Sequence, residues 1–244
     1  MNARRLLPFF SVAAGLAVWE AIGRLTPPIV FSPFSTTAWQ LLHTAALPGA
    51  IAQSLGTLAI GFLLAAIVAL PLGFAMGRVW WVREMFHPIL TGLYAIPPVA
   101  FIPFLIVWFG LFVESRIAIV VIMCFFEMLT IASAGAANID RRLLDVARAF
   151  SAPRHRTLSA VLIPASMPFL FTALRVGLVR AVAGVITGEL LLSPANLGKI
   201  LLDSAARFNT AGILGIVATV ALLGLCVQQG LLWLERHVLR WERP

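Results

Sequence analysis

The chain has 244 residues, 61% of them hydrophobic and 11% charged, with a mean hydropathy of +0.98 and a net charge of +8. A soluble domain carries about 25% charged residues, so this composition excludes a water-soluble fold, and the lack of any basic, aromatic-interleaved soluble stretch excludes nucleic acid as a partner. The apolar runs are continuous over about 20 residues, which excludes the alternating strands of a barrel and predicts an all-α membrane protein.

Met1 to Arg5 is short and basic, and the apolar run after it contains Glu20. The run is long and no small-x-small cleavage site follows, so it reads as a first span, about 6–24, rather than a signal peptide. Thr26, Pro27 and Pro28 end it, and Phe34 to Leu42 is predicted as a short interfacial helix started by Ser32 or Ser35. The second span, about 54–76, contains Pro71, and Gly56, Gly61, Gly73 and Gly77 give it a small face for close helix packing. Arg78 to Glu84, with Trp80 and Trp81, reads as a turn at the interface.

A third span, about 86–109, is broken at Pro97 and Pro98, because each proline pushes the residue before it out of helical geometry. Two readings of the break stand: a structural kink, or an unwound stretch lining a translocation pathway. The fourth span, about 116–137, leads to a loop over 138–166 that is too polar for a bilayer and carries Arg141, Arg142, Arg148, Arg154 and Arg156. Its halves read as short helices separated by Ser151, Ala152 and Pro153. The fifth span, about 167–192, holds Arg175 and Arg180, an amphipathic helix is predicted over Lys199 to Phe208, and the sixth span covers about 211–234. Trp241 in the basic tail reads as an interfacial anchor.

Six spans put both termini on one side. Arg4, Arg5, Arg78, Arg83, the five loop arginines, Arg236, Arg240 and Arg243 then share that side, against Arg24, Arg116, Lys199 and Arg207 on the other. Basic residues accumulate on the cytoplasmic face, so both termini and the loop are expected there. Glu127 and Arg180 fall at similar depth near the middle of spans four and five. An ionisable group there costs about 2.5–3.5 kcal/mol unless paired or hydrated. They read either as a structural ion pair or as part of an anion-attracting pathway. Arg175, nearer the cytoplasmic end, is expected to snorkel, and Glu20 and Glu189 to be solvated at the outer interface. Cys124 and Cys226 read as packing residues, and the four scattered histidines give no metal-ligand spacing.

Within the loop, Leu143, Leu144, Ala147 and Phe150 recur at helical spacing and predict an apolar stripe on a helix too short to be stable alone. Asp145, Val146 and Ala147, then Ser151, then Val161 to Pro164 keep the spacing of a known loop. That loop reads E-A-A, three residues, G, nine residues, I-x-L-P, and it resembles the cytoplasmic loop of ATP-binding-cassette importer permeases. Asp replaces Glu at 145 and Ser replaces Gly at 151, so Ala147 and Pro164 are the literal matches. Trp108, Phe109 and Gly110, then Pro164 to Pro168, Leu174 with Arg175, Gly188 with Glu189, and Leu197 with Gly198 resemble the subgroup that imports nitrate, taurine and aliphatic sulfonates.

The resemblance implies a single permease domain over residues 1–244 with a six-helix, type I importer fold, in a bacterial inner membrane. It implies a coupling helix carrying Leu143, Leu144, Asp145, Ala147, Phe150, Ser151 and Pro164. It implies two cytoplasmic ATPase subunits that hold ATP and magnesium, a soluble substrate-binding protein outside, and a second copy of the permease within the lipid. No cofactor is expected on this chain: its one Gly-Lys pair, Gly198 and Lys199, is followed by Ile200 and makes no phosphate loop. A stand-alone secondary transporter or channel is the alternative, but no internal repeat supports it, and no nucleophile–base pair supports a membrane enzyme.

Overall fold

A computed structural model describes residues 3–239, leaving aside the side chains of residues 3–6, Pro8 and Arg141. Arg240, Trp241 and Arg243 lie outside the described residues, as do the side chains of Arg4 and Arg5. The described residues form helices joined by short turns: α1 (Ala3–Leu25), α2 (Phe34–Leu42), α3 (Leu47–Arg78), α4 (Trp80–Tyr94), α5 (Ile102–Phe109), α6 (Val113–Ala137), α7 (Arg141–Ala149), α8 (Arg154–Arg156), α9 (Ile163–Leu191), α10 (Asn196–Ala206) and α11 (Thr210–Val238). Of these, α3, α6, α11 and the run from Arg154 to Leu191 are long and apolar enough to cross a bilayer, and the bent pair of α4 with Pro98–Phe109 makes a fifth candidate. At 23 residues, α1 also has the length of a span.

Two compact units divide the chain. In the first, residues up to 54 group with 194–223. Here α2 starts after Pro33 with no side-chain cap, so neither Ser32 nor Ser35 caps it. Ser35 instead gives both its backbone N–H and its hydroxyl to Glu20, each at 2.9 Å, and Glu20 also holds Arg24 at 2.7 Å. Trp19 Nε1 donates to the Ser32 carbonyl at 3.0 Å, and Thr210 Oγ1 to that of Ile29 at 2.6 Å. These bonds tie α1 and α11 to the segment around α2. The amphipathic helix expected from Lys199 begins three residues earlier. After it, Phe208 takes a left-handed φ of 52° and Asn209 Oδ1 accepts from Gly212 N at 3.1 Å, capping α11.

The second unit groups residues 55–193 with 224 onward, and α6 is its spine. Val120, Cys124, Met128 and Ala132 are buried on α6 against Ala173, Leu178, Ala181 and Val185 of α9. Lipid tails are as apolar as leucine, so helices in a bilayer gain by close approach rather than by hydrophobic exclusion. Glycines supply that approach on α3. A methyl group at Gly73 would sit 2.7 Å from the Leu129 carbonyl oxygen, and one at Gly61 would sit 2.6 Å from Val120 Cγ1. Gly77 likewise lies against Ser133 and Ala136, whereas Gly56 meets nothing within 4 Å. Three of the four glycines expected on one packing face therefore pack on α6. Cys124 is buried as expected, but Cys226 is exposed.

The other departures from expectation fall at boundaries. The turn predicted over Arg78 to Glu84 shrinks to Val79, since α4 starts at Trp80. The third span is not straight: α4 and Pro98–Phe109 meet at 91°, with Ile96 and Pro97 outside either helix. Two adjacent prolines remove two helix donors and bar the α conformation before each ring, so the chain re-enters through a 3₁₀ turn at Pro98–Phe101. The second half of the loop is not a separate helix. Arg154 to Leu191 is one helical run, through a π-helical stretch at Thr157–Leu162. That wider turn precedes Pro164 and suits a ring that supplies no N–H of its own.

Candidate coupling loop and translocation pathway

Asp140 starts α7 by accepting the Arg142 N–H at 2.9 Å on its carboxylate, which satisfies a donor the first turn leaves orphaned. The far end closes just as tightly. Ser151 N–H donates to the Arg148 carbonyl at 2.8 Å and Ala152 N–H to that of Ala147 at 3.0 Å. This nested pair, with Ser151 at φ 49°, is a Schellman cap. The serine at the glycine place of the loop thus adopts the left-handed turn that glycine would. Pro153 then sets φ at −67° and ψ at 152°, which turns the chain into α8.

Between its caps α7 has two apolar faces, not the single stripe the spacing predicts. Ala147 is buried and Leu144 half-buried, and α7 packs on the π-helical stretch of its own chain. Leu143, Val146 and Phe150 remain outward at 44%, 56% and 80% exposure. The free face is therefore Leu143, Val146 and Phe150, and Val146 belongs to it in place of Leu144 and Ala147. Asp145 sits beside it in an exposed pair with Arg148 at 3.2 Å, an interaction worth at most about 1 kcal/mol. Pro164 lies in the first turn of α9, within the continuous run, and forms no part of the free face.

Deeper in the unit, Glu127 of α6 and Arg180 of α9 meet at 2.7 Å. Tyr94, the sole tyrosine, donates its hydroxyl to Glu127 Oε1 at 3.3 Å and lies edge-on to Phe126 at 6.2 Å. Tyr94 ends α4, three residues before Pro97. Pro97 and Pro98 stand at the bend, Pro97 exposed and Pro98 half-buried, and neither lines the cavity between α4 and α6. Between α4 and α6 runs a cavity of about 290 Å³, lined among others by Arg83, His87, Thr91, Tyr94 and Thr130.

One expectation about charge is corrected and another gains a partner. Arg175, expected to snorkel toward the cytoplasmic end, forms an ion pair with Glu235 of α11. Glu189 is fully buried rather than solvated, since it follows Gly188, whose missing side chain lets α9 close on Ile119 and Arg116. Tyr94, Asp140, Val146 and Glu235 are the residues sequence reasoning missed. An acid directly before a helical run was a readable cap signal for Asp140. A lone phenol ending an apolar helix before a proline break was a weaker signal for Tyr94, and nothing local marked Glu235.

A bundle of apolar helices, a capped loop helix with an outward apolar face and a charge pair between its central helices define a membrane-embedded transport subunit. The chain belongs to the family of binding-protein-dependent transport system inner membrane components, which matches residues 61–240. Members are permease subunits of ATP-binding-cassette importers, and ATP hydrolysis lies on a separate subunit. Among its relatives, a probable ABC transporter permease of Brucella abortus (strain 2308) is 29% identical over 99% of both chains. The riboflavin transport system permease RibX of Chloroflexus aurantiacus is 31% identical over 97% of this chain and 87% of its own. The taurine transport system permease TauC of Escherichia coli (strain K12) is 26% identical over 95% and 88%. The fold is shared with a chain of the inward-facing MetNI methionine ABC transporter, at 18% identity, 79% coverage of this chain, 95% of that one and a TM-score of 0.68.

Proposed function

We propose that this chain is the permease of an importer for a small organic or inorganic anion, with two copies lining the path. On this reading an ATPase carries ATP and magnesium beneath each loop, and a soluble binding protein delivers the solute from outside. Both termini and α7 lie in the cytoplasm of a bacterial inner membrane. The observation that carries it is α7 itself, capped at both ends and leaving Leu143, Val146 and Phe150 exposed among the described residues. Asp145, Ser151 and Pro164 keep the spacing that sets this helix, while Leu144 and Ala147 seat it. Anion transport is supported by relatives named for the transport of sulfonate-bearing solutes. Taurine and aliphatic sulfonates are named for relatives, and so is riboflavin, so the solute is chosen by assay.

The test is uptake into proteoliposomes holding this chain with its ATPase and binding protein, offered nitrate, taurine, an alkanesulfonate and riboflavin. Uptake should require ATP and the binding protein and favour an anion. Phe150→Asp should abolish it, through loss of the ATPase from the complex or of coupling within it, while the chain stays inserted. Uptake without nucleotide would sink the importer reading, and riboflavin alone would sink the anion reading.

A further inference from the structure

Arg83, His87, Thr91 and Tyr94 recur every three or four residues along α4, so they share one face of the helix. Val82 and Phe86, on the adjoining face, pack into the core, and Leu90 borders both the core and the cavity. The polar face meets α6 at Phe126 and Thr130, and the cavity of about 290 Å³ lies between. Tyr94 closes one end through its bond to Glu127, whose carboxylate Arg180 already holds. Near the other end, the Arg83 guanidinium has no hydrogen bond or ion pair among the described residues. No carboxylate lines the cavity. Its lining therefore has one uncompensated fixed cation and two aromatic rings, while the Thr91 and Thr130 hydroxyls already donate to the His87 and Phe126 carbonyls of their own helices. A cation would be repelled by Arg83. Arg83 itself is exposed, and a wholly apolar solute would cover its guanidinium without offering a counter-charge.

We propose that this cavity is a binding site for a small organic anion, its charged head on Arg83 and its apolar body against Tyr94 and Phe126. An anion on arginine is a charge-assisted hydrogen-bonded pair, about twice as strong as a neutral one, and the volume holds one small solute rather than a chain of them. The site's place on the solute's path rests on the importer reading. Its preference for an anion rests on the lining alone.

The test is photolabelling of the full chain in lipid nanodiscs with 4-azidobenzenesulfonate, mapped by mass spectrometry. Label should fall within residues 83–94 and 126–130, be displaced by benzenesulfonate, and resist the cation benzyltrimethylammonium. Arg83→Ala should cut labelling about tenfold, and Arg83→Lys should keep most of it. Thr130→Trp fills the cavity from α6 with Arg83 untouched and should abolish labelling in chain that still elutes as a single species. Labelling elsewhere, equal displacement by the cation, or no loss in Arg83→Ala overturns the site, as does a second copy covering this face and excluding the probe. The two readings fail separately. Specific labelling without ATP-driven uptake would sink the importer and leave the site. ATP-driven uptake with unchanged labelling in Arg83→Ala would sink the site and leave the importer.

Discussion

Ser151 carries a Cβ into the left-handed region, where it crowds the following carbonyl at a cost of about 1 kcal/mol or more. Glycine meets no such penalty, so the cap at the end of α7 is built on its less comfortable residue. Ser151→Gly should stabilise the cap by about 1 kcal/mol and slow exchange of the Ser151 and Ala152 amides about fivefold, measured by hydrogen–deuterium exchange. Ser151→Val, with a branched Cβ, should speed exchange through α7. If Ser151→Gly left exchange unchanged, the left-handed serine would carry no strain in this cap. The turn itself was legible, because Pro153 and the spacing marked it. That a serine would take φ 49° was not, because the hydrogen bonds of Ser151 and Ala152 to Arg148 and Ala147 hold it there against its own preference.

Elements in this bundle meet through what is missing from them. Gly73 lets α3 come against the Leu129 carbonyl and Ala132 of α6, while Gly56, on the same helix, faces open space. Gly73→Leu should collapse the yield of monodisperse protein on fluorescence-detected size exclusion in detergent. Gly56→Leu should leave it within about twofold of the parent, as expected of a site with no packing to lose. Equal loss at both would mean that α3 is limited by its helix propensity rather than by its contact. A small-residue face could be read from the sequence; which glycine touches a neighbour depends on where two helices cross, and no periodicity encodes that. The same holds for α7. Spacing marks an apolar side, but Ala147 and Leu144 turn inward only because the π-helical stretch folds back beneath them. Pro97 and Pro98 announced a break, yet the 91° bend depends on how the chain re-enters against α6.

For the molecule as a whole, a bilayer makes charge the dominant constraint. Glu127 and Arg180 were placed at matching depth by counting residues, and they do meet; the partner of Arg175 was not legible because Glu235 is 60 residues away. Removing one member of the Glu127–Arg180 pair leaves a lone charge, which is far costlier than removing both. Arg180→Ala should therefore lower the melting temperature in detergent, and Arg180→Gln with Glu127→Gln should recover most of the loss. Uptake should stay down about tenfold or more in the double variant if the guanidinium also serves the solute. Full recovery of uptake would reduce the pair to a structural role. The run from Arg154 to Leu191 has a mechanical consequence as well. Its 38 residues make a helical path about 57 Å long at 1.5 Å per residue, nearly twice the hydrocarbon thickness. Its loop end carries the surface on which α7 rests, and the π-helical stretch and Pro168 are the places where a push on α7 would bend that path rather than tilt it whole.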